Sequence, residues 1–135
     1  MHLYQRTVAG IVLAAIACSA LFVGCDTGIV TNPKDIVFPD SGVSYTRSVS
    51  PLFDLSCAFA GCHDDQTKAG GMTLKSYIGA LERPGVIVPF DSSGSVMIQI
   101  LRAGLPHSAY PINQLVNENH RRGIAIWIQE GARNN

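Results

Sequence analysis

The chain has 135 residues, 47% of them hydrophobic, with ten Lys and Arg balancing ten Asp and Glu, four His and four Cys. That length limits it to one domain, and zero net charge argues against a nucleic-acid partner, whose phosphates demand a basic face. With 15% charged residues the chain is also too apolar to remain disordered.

The apolar excess is concentrated at the N-terminus. No charged residue occurs from Thr7 to Cys25, and the run Val8 to Ala17 continues through Ala20-Leu21-Phe22-Val23-Gly24 to Cys25-Asp26. Arg6 ahead of an apolar stretch that ends in a small residue has the layout of an export signal. Leu21-Phe22-Val23-Gly24-Cys25 resembles a lipobox, so residues 1–24 are expected to be removed and Cys25 to carry a lipid anchor. A retained transmembrane span is the competing reading at this length. Cys18 sits inside the apolar run and leaves with it. Residues 25–43 hold turn formers and prolines without helical period and are expected to form a spacer, within which Ile36-Val37-Phe38 can dock as a short extended piece.

Residues 44–135 form the folded domain, helical in pattern and short in its loops. Ser50-Pro51 predicts a helix start, with Val49, Leu52, Phe53 and Cys57 on one apolar side. A brief helix follows near Lys75 to Leu81. Ser92-Ser93-Gly94 is expected to cap a segment in which Val96, Met97, Ile100 and Leu101 fall at helical spacing, and Gly104 closes it. The last helix is the clearest: Asn117 caps it, His120, Ile124, Trp127 and Ile128 line one face, and Gly131 ends it. No strand-like alternation of comparable length and no internal repeat occurs.

With Cys18 and Cys25 set aside, two cysteines remain, in Cys57-Ala58-Phe59-Ala60-Gly61-Cys62-His63. Two thiols followed directly by a His are the residues of c-type haem attachment, in which the thiols add to vinyl groups and the His becomes the proximal iron ligand. The ordinary spacing is C-x-x-C-H. Here it is C-x4-C-H, and small Ala58, Ala60 and Gly61 permit two extra residues to bulge out. A disulfide is the chief competing reading for thiols this close in an oxidising compartment. A zinc site is a poorer one, since no second Cys or His pair follows at finger spacing.

Ser44-Tyr45-Thr46-Arg47-Ser48-Val49-Ser50-Pro51-Leu52-Phe53, followed by the C-x4-C-H segment, resembles the opening of small bacterial cytochrome c domains of the planctomycete and Bacteroidetes-related kind. Ala69-Gly70-Gly71-Met72-Thr73-Leu74 is similar to their Gly-Gly-Leu-x-Leu turn, Val86-Ile87-Val88-Pro89 to their approach to the third helix, and Trp127-Ile128-Gln129-Glu130-Gly131-Ala132 to their terminal Trp-Ile-x-x-Gly-Ala. The likeness covers about residues 44–133. It implies an all-α, cytochrome c-like domain wrapped around one covalently attached haem c, with the first and last helices crossing. By that resemblance Cys57 and Cys62 attach the haem and His63 ligates its iron. Leu52, Phe53, Met72, Leu74, Ile100 and Ile124 then line the pocket, and Trp127 is either a core aromatic at the crossing or a direct haem contact.

The sixth iron ligand departs from that family, whose members usually present Met-Pro in the loop before the last helix. Here the loop holds Leu105-Pro106-His107 and Tyr110-Pro111, without Met. His107 is the expected distal ligand, Met97 and Met72 are lesser candidates, and an open sixth position is the alternative. His120 is expected at the surface or half-buried on its helix. Arg83 and Arg102 are candidates to neutralise haem propionates, or plain solvated arginines. No carboxylate pair, nucleophile triad or Gly-rich phosphate loop is present, so the chain is not expected to be an enzyme. The combined expectation is a lipid-anchored monohaem cytochrome c of the cell envelope, on the periplasmic side or outer surface. It would pass single electrons between redox proteins. The alternatives are a haem-based gas or redox sensor and a cofactor-free, disulfide-stabilised structural lipoprotein.

Overall fold

The computed structural model of the chain describes residues 28–107 and 112–135. The expected signal at 1–24, the Cys25 anchor and Tyr110-Pro111 lie outside the described residues. Among the described residues the fold is all-helical, and no helix is long and apolar enough to cross a membrane. In chain order come a 3-10 turn at Pro33–Asp35, a π-helical turn at Tyr45–Val49, α1 at Ser50–Ser56 and a 3-10 turn at Ala69–Gly71. Then follow α2 at Tyr77–Leu81, α3 at Val96–Leu101, α4 at Ile112–Leu115 and α5 at Glu118–Gln129. The sequence pattern did not reveal α4, which is a single turn of helix.

Part of the segment assigned to the spacer belongs to the core. Ile36 and Phe38 are buried while Val37 between them is 74% exposed, the alternation of an extended piece with one face against the body. It lies along α5. The Asn119 carboxamide accepts from the Phe38 N–H at 2.8 Å and donates to the Phe38 carbonyl at 3.1 Å, much as a neighbouring strand would. Gly123 allows the close approach, because a Cβ there would stand 2.1 Å from the Phe38 ring. Val43, also buried, has its N–H on the Glu130 carboxylate at 3.0 Å.

His120 corrects an expectation: it has no exposed surface. Its Nε2 pairs with the Ile36 carbonyl at 2.9 Å, and Nδ1 accepts the Asn117 N–H at 3.2 Å. The Asn117 side chain in turn accepts the His120 N–H at 3.0 Å, closing a reciprocal cap at the start of α5. The neutral imidazole protonated on Nε2 satisfies both ring bonds, whereas a second proton on Nδ1 would face another donor. Burial holds His120 below the ordinary His range, and Arg121 adds to this against the opposing Ile36 carbonyl.

A His whose folded pKa is depressed contributes stability that is complete above the unfolded value of 6.5 and is lost as pH falls toward the folded value. The unfolding free energy from urea titration is therefore expected to decline as pH falls below about 6.5, by at most about 1.4 kcal/mol per pH unit from this residue. His120→Gln should flatten that decline. Equal slopes in both proteins would contradict the assignment.

The first helix begins earlier than Ser50-Pro51 implied. Ser44 caps the π turn, its Oγ accepting the Arg47 N–H at 3.3 Å, and Ser50 is already helical, its N–H bonded to the Tyr45 carbonyl. The wide turn thus runs directly into Pro51, which has no N–H to pair, and α1 needs no side-chain cap. Asn135 secures the start of this segment, its side-chain oxygen accepting the Tyr45 N–H at 2.9 Å and its backbone oxygen the Thr46 N–H at 3.0 Å.

The two ends of the fold meet in an aromatic cluster. Trp127 of α5 lies 5.7 Å from the Tyr45 ring and 6.4 Å, edge-on, from Phe53 of α1, and Tyr77 of α2 meets Tyr45 at 5.3 Å. The Trp127 Nε1–H is satisfied by the Arg133 carbonyl at 2.9 Å.

On α3 the buried face is Met97, Ile98 and Leu101, with Val96 and Ile100 only half-buried, a small rotation from the expected stripe. Ser95 occupies the N-cap, not Ser92-Ser93-Gly94, and its hydroxyl serves the preceding loop. It donates to the Asp91 carbonyl and accepts the Val88 N–H, each at 2.8 Å.

Candidate functional site

The end of α1 delivers the first thiol. The Cys57 N–H and the Ala58 N–H share the Phe53 carbonyl, at 2.8 and 2.9 Å. Ala58 is buried, whereas Phe59, Ala60 and Gly61 are exposed. These form a turn closed by the Cys62 N–H on the Phe59 carbonyl at 2.9 Å, with Gly61 at φ +85°. A side chain is strained at that φ, so glycine lets the additional residues of C-x4-C fold outward as a tight turn.

The His63 N–H closes the loop on the Cys57 carbonyl at 3.3 Å, and the His63 carbonyl accepts the Leu74 N–H at 2.8 Å. The Thr73 hydroxyl reaches both the His63 carbonyl at 3.3 Å and Asp65 Oδ1 at 2.8 Å. Met72, Thr73 and Leu74 are all buried, so the expected lining residues Met72 and Leu74 flank a buried threonine that braces His63. Gly79 of α2 makes room for it, since a Cβ there would stand 2.2 Å from Thr73 Cγ2.

Asp64, which the sequence pattern did not single out, organises the other side of the loop. Its carboxylate accepts the Gly61 N–H at 2.8 Å, the Gln66 N–H at 2.8 Å, and both the N–H and the hydroxyl of Thr67. Those bonds, with the Thr67 N–H foremost, hold its carboxyl below the usual carboxylate range. An Asp three residues ahead of a Thr is a turn pattern that points to such a role.

Both thiols are free and half-buried. Burial pushes the Cys57 thiol up to about 12, with Cys62 nearby adding to the effect. In the folded chain Cys57 is accordingly a neutral thiol and not an activated nucleophile.

The structure brings His63 and His107 together. Their ring centroids are 6.0 Å apart and their planes 39° from parallel. His107 arrives from the end of α3, where the Gly104 N–H bonds the Gln99 carbonyl at 2.8 Å and Arg121 Nε donates to the Leu101 carbonyl at 2.7 Å. His63 Nδ1 is buried without a hydrogen-bond partner. Burial keeps His63 below the ordinary His range and His107 adds to that, while backbone groups of Met72 and Ala69 oppose it. The result favours a neutral imidazole, the form that binds a metal.

Gly70 lies between His63 and Arg83. A Cβ at this position would stand 3.9 Å from His63 Cε1 and 3.4 Å from Arg83 Nη1, and the guanidinium donates to the Gly70 carbonyl. Arg83 is thus held through Gly70 to the loop that carries His63, and Arg102, exposed like Arg83, sits at the end of α3. Trp127 is packed in the aromatic cluster, and Met97 is buried on α3. No protein-family model, curated protein or solved structure matches this chain.

Proposed function

We propose that the chain is a lipid-anchored monohaem c-type cytochrome that carries single electrons between redox proteins at the cell envelope. The observation that carries this reading is the His63–His107 pair, 6.0 Å between ring centroids, set directly behind a loop with two free thiols. Two imidazoles that bind one metal from opposite sides, each with a metal–nitrogen bond of about 2 Å, have ring centres about 6 Å apart. The spacing suits a metal between the rings, and burial, which favours the neutral form of His63, suits a ligand imidazole.

In this reading Cys57 and Cys62 hold the haem through thioethers, His63 is the proximal ligand and His107 the distal one. A bound haem supplies an iron that accepts and returns one electron. The protein's part is to keep the two ligands in place in both states. His63 is fixed by backbone bonds on both sides, and buried Met72 and Leu74 beside it exclude water. His107 is exposed, so this side of the site lies near solvent, where a partner protein can approach. The meeting of Tyr45 and Phe53 with Trp127 supports a cytochrome c-like crossing of the first and last helical segments. Cys25, acylated after removal of residues 1–24, is the proposed tether.

The test is the absorption spectrum of protein produced in a host that matures c-type cytochromes. A sharp low-spin reduced α band that carbon monoxide leaves unchanged is expected of the carrier. A broad high-spin spectrum that shifts with carbon monoxide would instead indicate the sensor, and absence of a Soret band the cofactor-free lipoprotein.

A further inference from the structure

Resting on the haem reading above, we propose that Asp64 is the positioning residue that holds Cys62 and His63 ready for double attachment across the four-residue gap. The two residues that must meet the haem lie between the points this carboxylate ties down. Oδ2 reaches back across Cys62-His63 to the Gly61 N–H at 2.8 Å, and Oδ1 reaches forward to the Gln66 N–H at 2.8 Å and the Thr67 N–H. Charge-assisted bonds of this kind are roughly twice as strong as neutral ones.

A turn with two extra residues has more ways to place its second thiol than C-x-x-C has. Fixing each backbone residue costs conformational entropy, and Asp64 offsets part of that cost before the haem arrives. The Gly61 end of the tether sits at φ +85°, with no atom within 4 Å of a Cβ position, so its constraint lies in the backbone and not in packing. Each attachment adds a thiol S–H across a vinyl double bond, forming one C–S and one C–H bond with no oxidant and no leaving group. What the chain contributes to that step is placement.

Asp64→Asn separates the two halves of the tether. The amide oxygen can still accept from Gln66 and Thr67, but the amide nitrogen is a donor and would face the Gly61 N–H. Full-length protein made in a cytochrome-maturing host is denatured, treated with iodoacetamide and weighed. Wild type is expected to carry haem with both Cys57 and Cys62 blocked. Asp64→Asn should yield a major fraction that carries haem and one alkyl group, mapped to Cys62, with an α band shifted to the red by the remaining vinyl group. Helical circular dichroism should be retained.

Gly61→Ala strains the same link from its other end and should give the same singly bridged product. It decides the matter if Asp64→Asn does not accumulate. Complete double attachment in either variant overturns the role of Asp64. Wild type without covalent haem would overturn the haem reading itself, a different result.

Discussion

On the proposed haem reading, replacing His107 with alanine is expected to convert a low-spin iron centre almost completely to a high-spin one that binds carbon monoxide. The ring centroids of His63 and His107 are 6.0 Å apart, and the loop before α5 holds no methionine. His107 is exposed, and its side chain is no part of the buried core, so its loss should cost little stability and leave the fold to report only the change at the metal. Histidine in place of methionine also favours the ferric form. The wild-type potential should accordingly lie below that of His/Met-ligated domains. Electron paramagnetic resonance of the ferric protein distinguishes the two spin states, and an identical low-spin signal in His107→Ala would remove His107 from the ligand set.

Trp127→Ala is expected to destabilise the protein by about 3–5 kcal/mol, the range for deleting a large buried aromatic. Trp127 is 1% exposed and packs against Tyr45 and Phe53, so its removal opens a cavity between the two ends of the fold. The Arg133 carbonyl also loses its donor. Trp127→Phe should cost less, because the ring contacts survive in part while the hydrogen bond is lost. Urea unfolding followed by helical circular dichroism measures both. A loss below about 1 kcal/mol for the alanine variant would mean that the cluster does not join the first and last helical segments.

Local signals in the chain were legible and distant partnerships were not. Asn117 as the cap of α5, Gly131 just beyond its end at φ +100° and the buried face through Ile124, Trp127 and Ile128 all follow from spacing within a few residues. Met72 and Leu74 are buried, in keeping with the lining that the resemblance implied; no local spacing marks them. The burial of His120 was not legible, because its partner Ile36 lies 84 residues away and the same sequence position suits a polar helix surface. The docking of Ile36-Val37-Phe38 as an extended piece was legible, but not its seat on α5, which depends on Gly123, whose lack of a side chain has no periodic signature. At the first helix, a Ser-Pro pair fits a capped start equally well as a helix continued from a π turn, and only the Tyr45 contacts select the latter.

At the candidate site, the two thiols and His63 could be named from their order alone. Asp64 carries only the general signal of an Asp-led turn and Thr73 carries none, so what they do around the loop is visible only in their hydrogen bonds. His107 stands 44 positions beyond His63, and no periodicity connects them; chemistry nominated it and the folded chain sets the two rings 6.0 Å apart.

The most direct measurement is the mass of the intact exported protein, denatured to release anything held without a covalent bond. The account predicts a chain beginning at Cys25 that carries lipid and the mass of one haem, and that remains coloured after denaturation. A colourless chain of polypeptide and lipid mass alone, produced in a host able to attach haem, would contradict it.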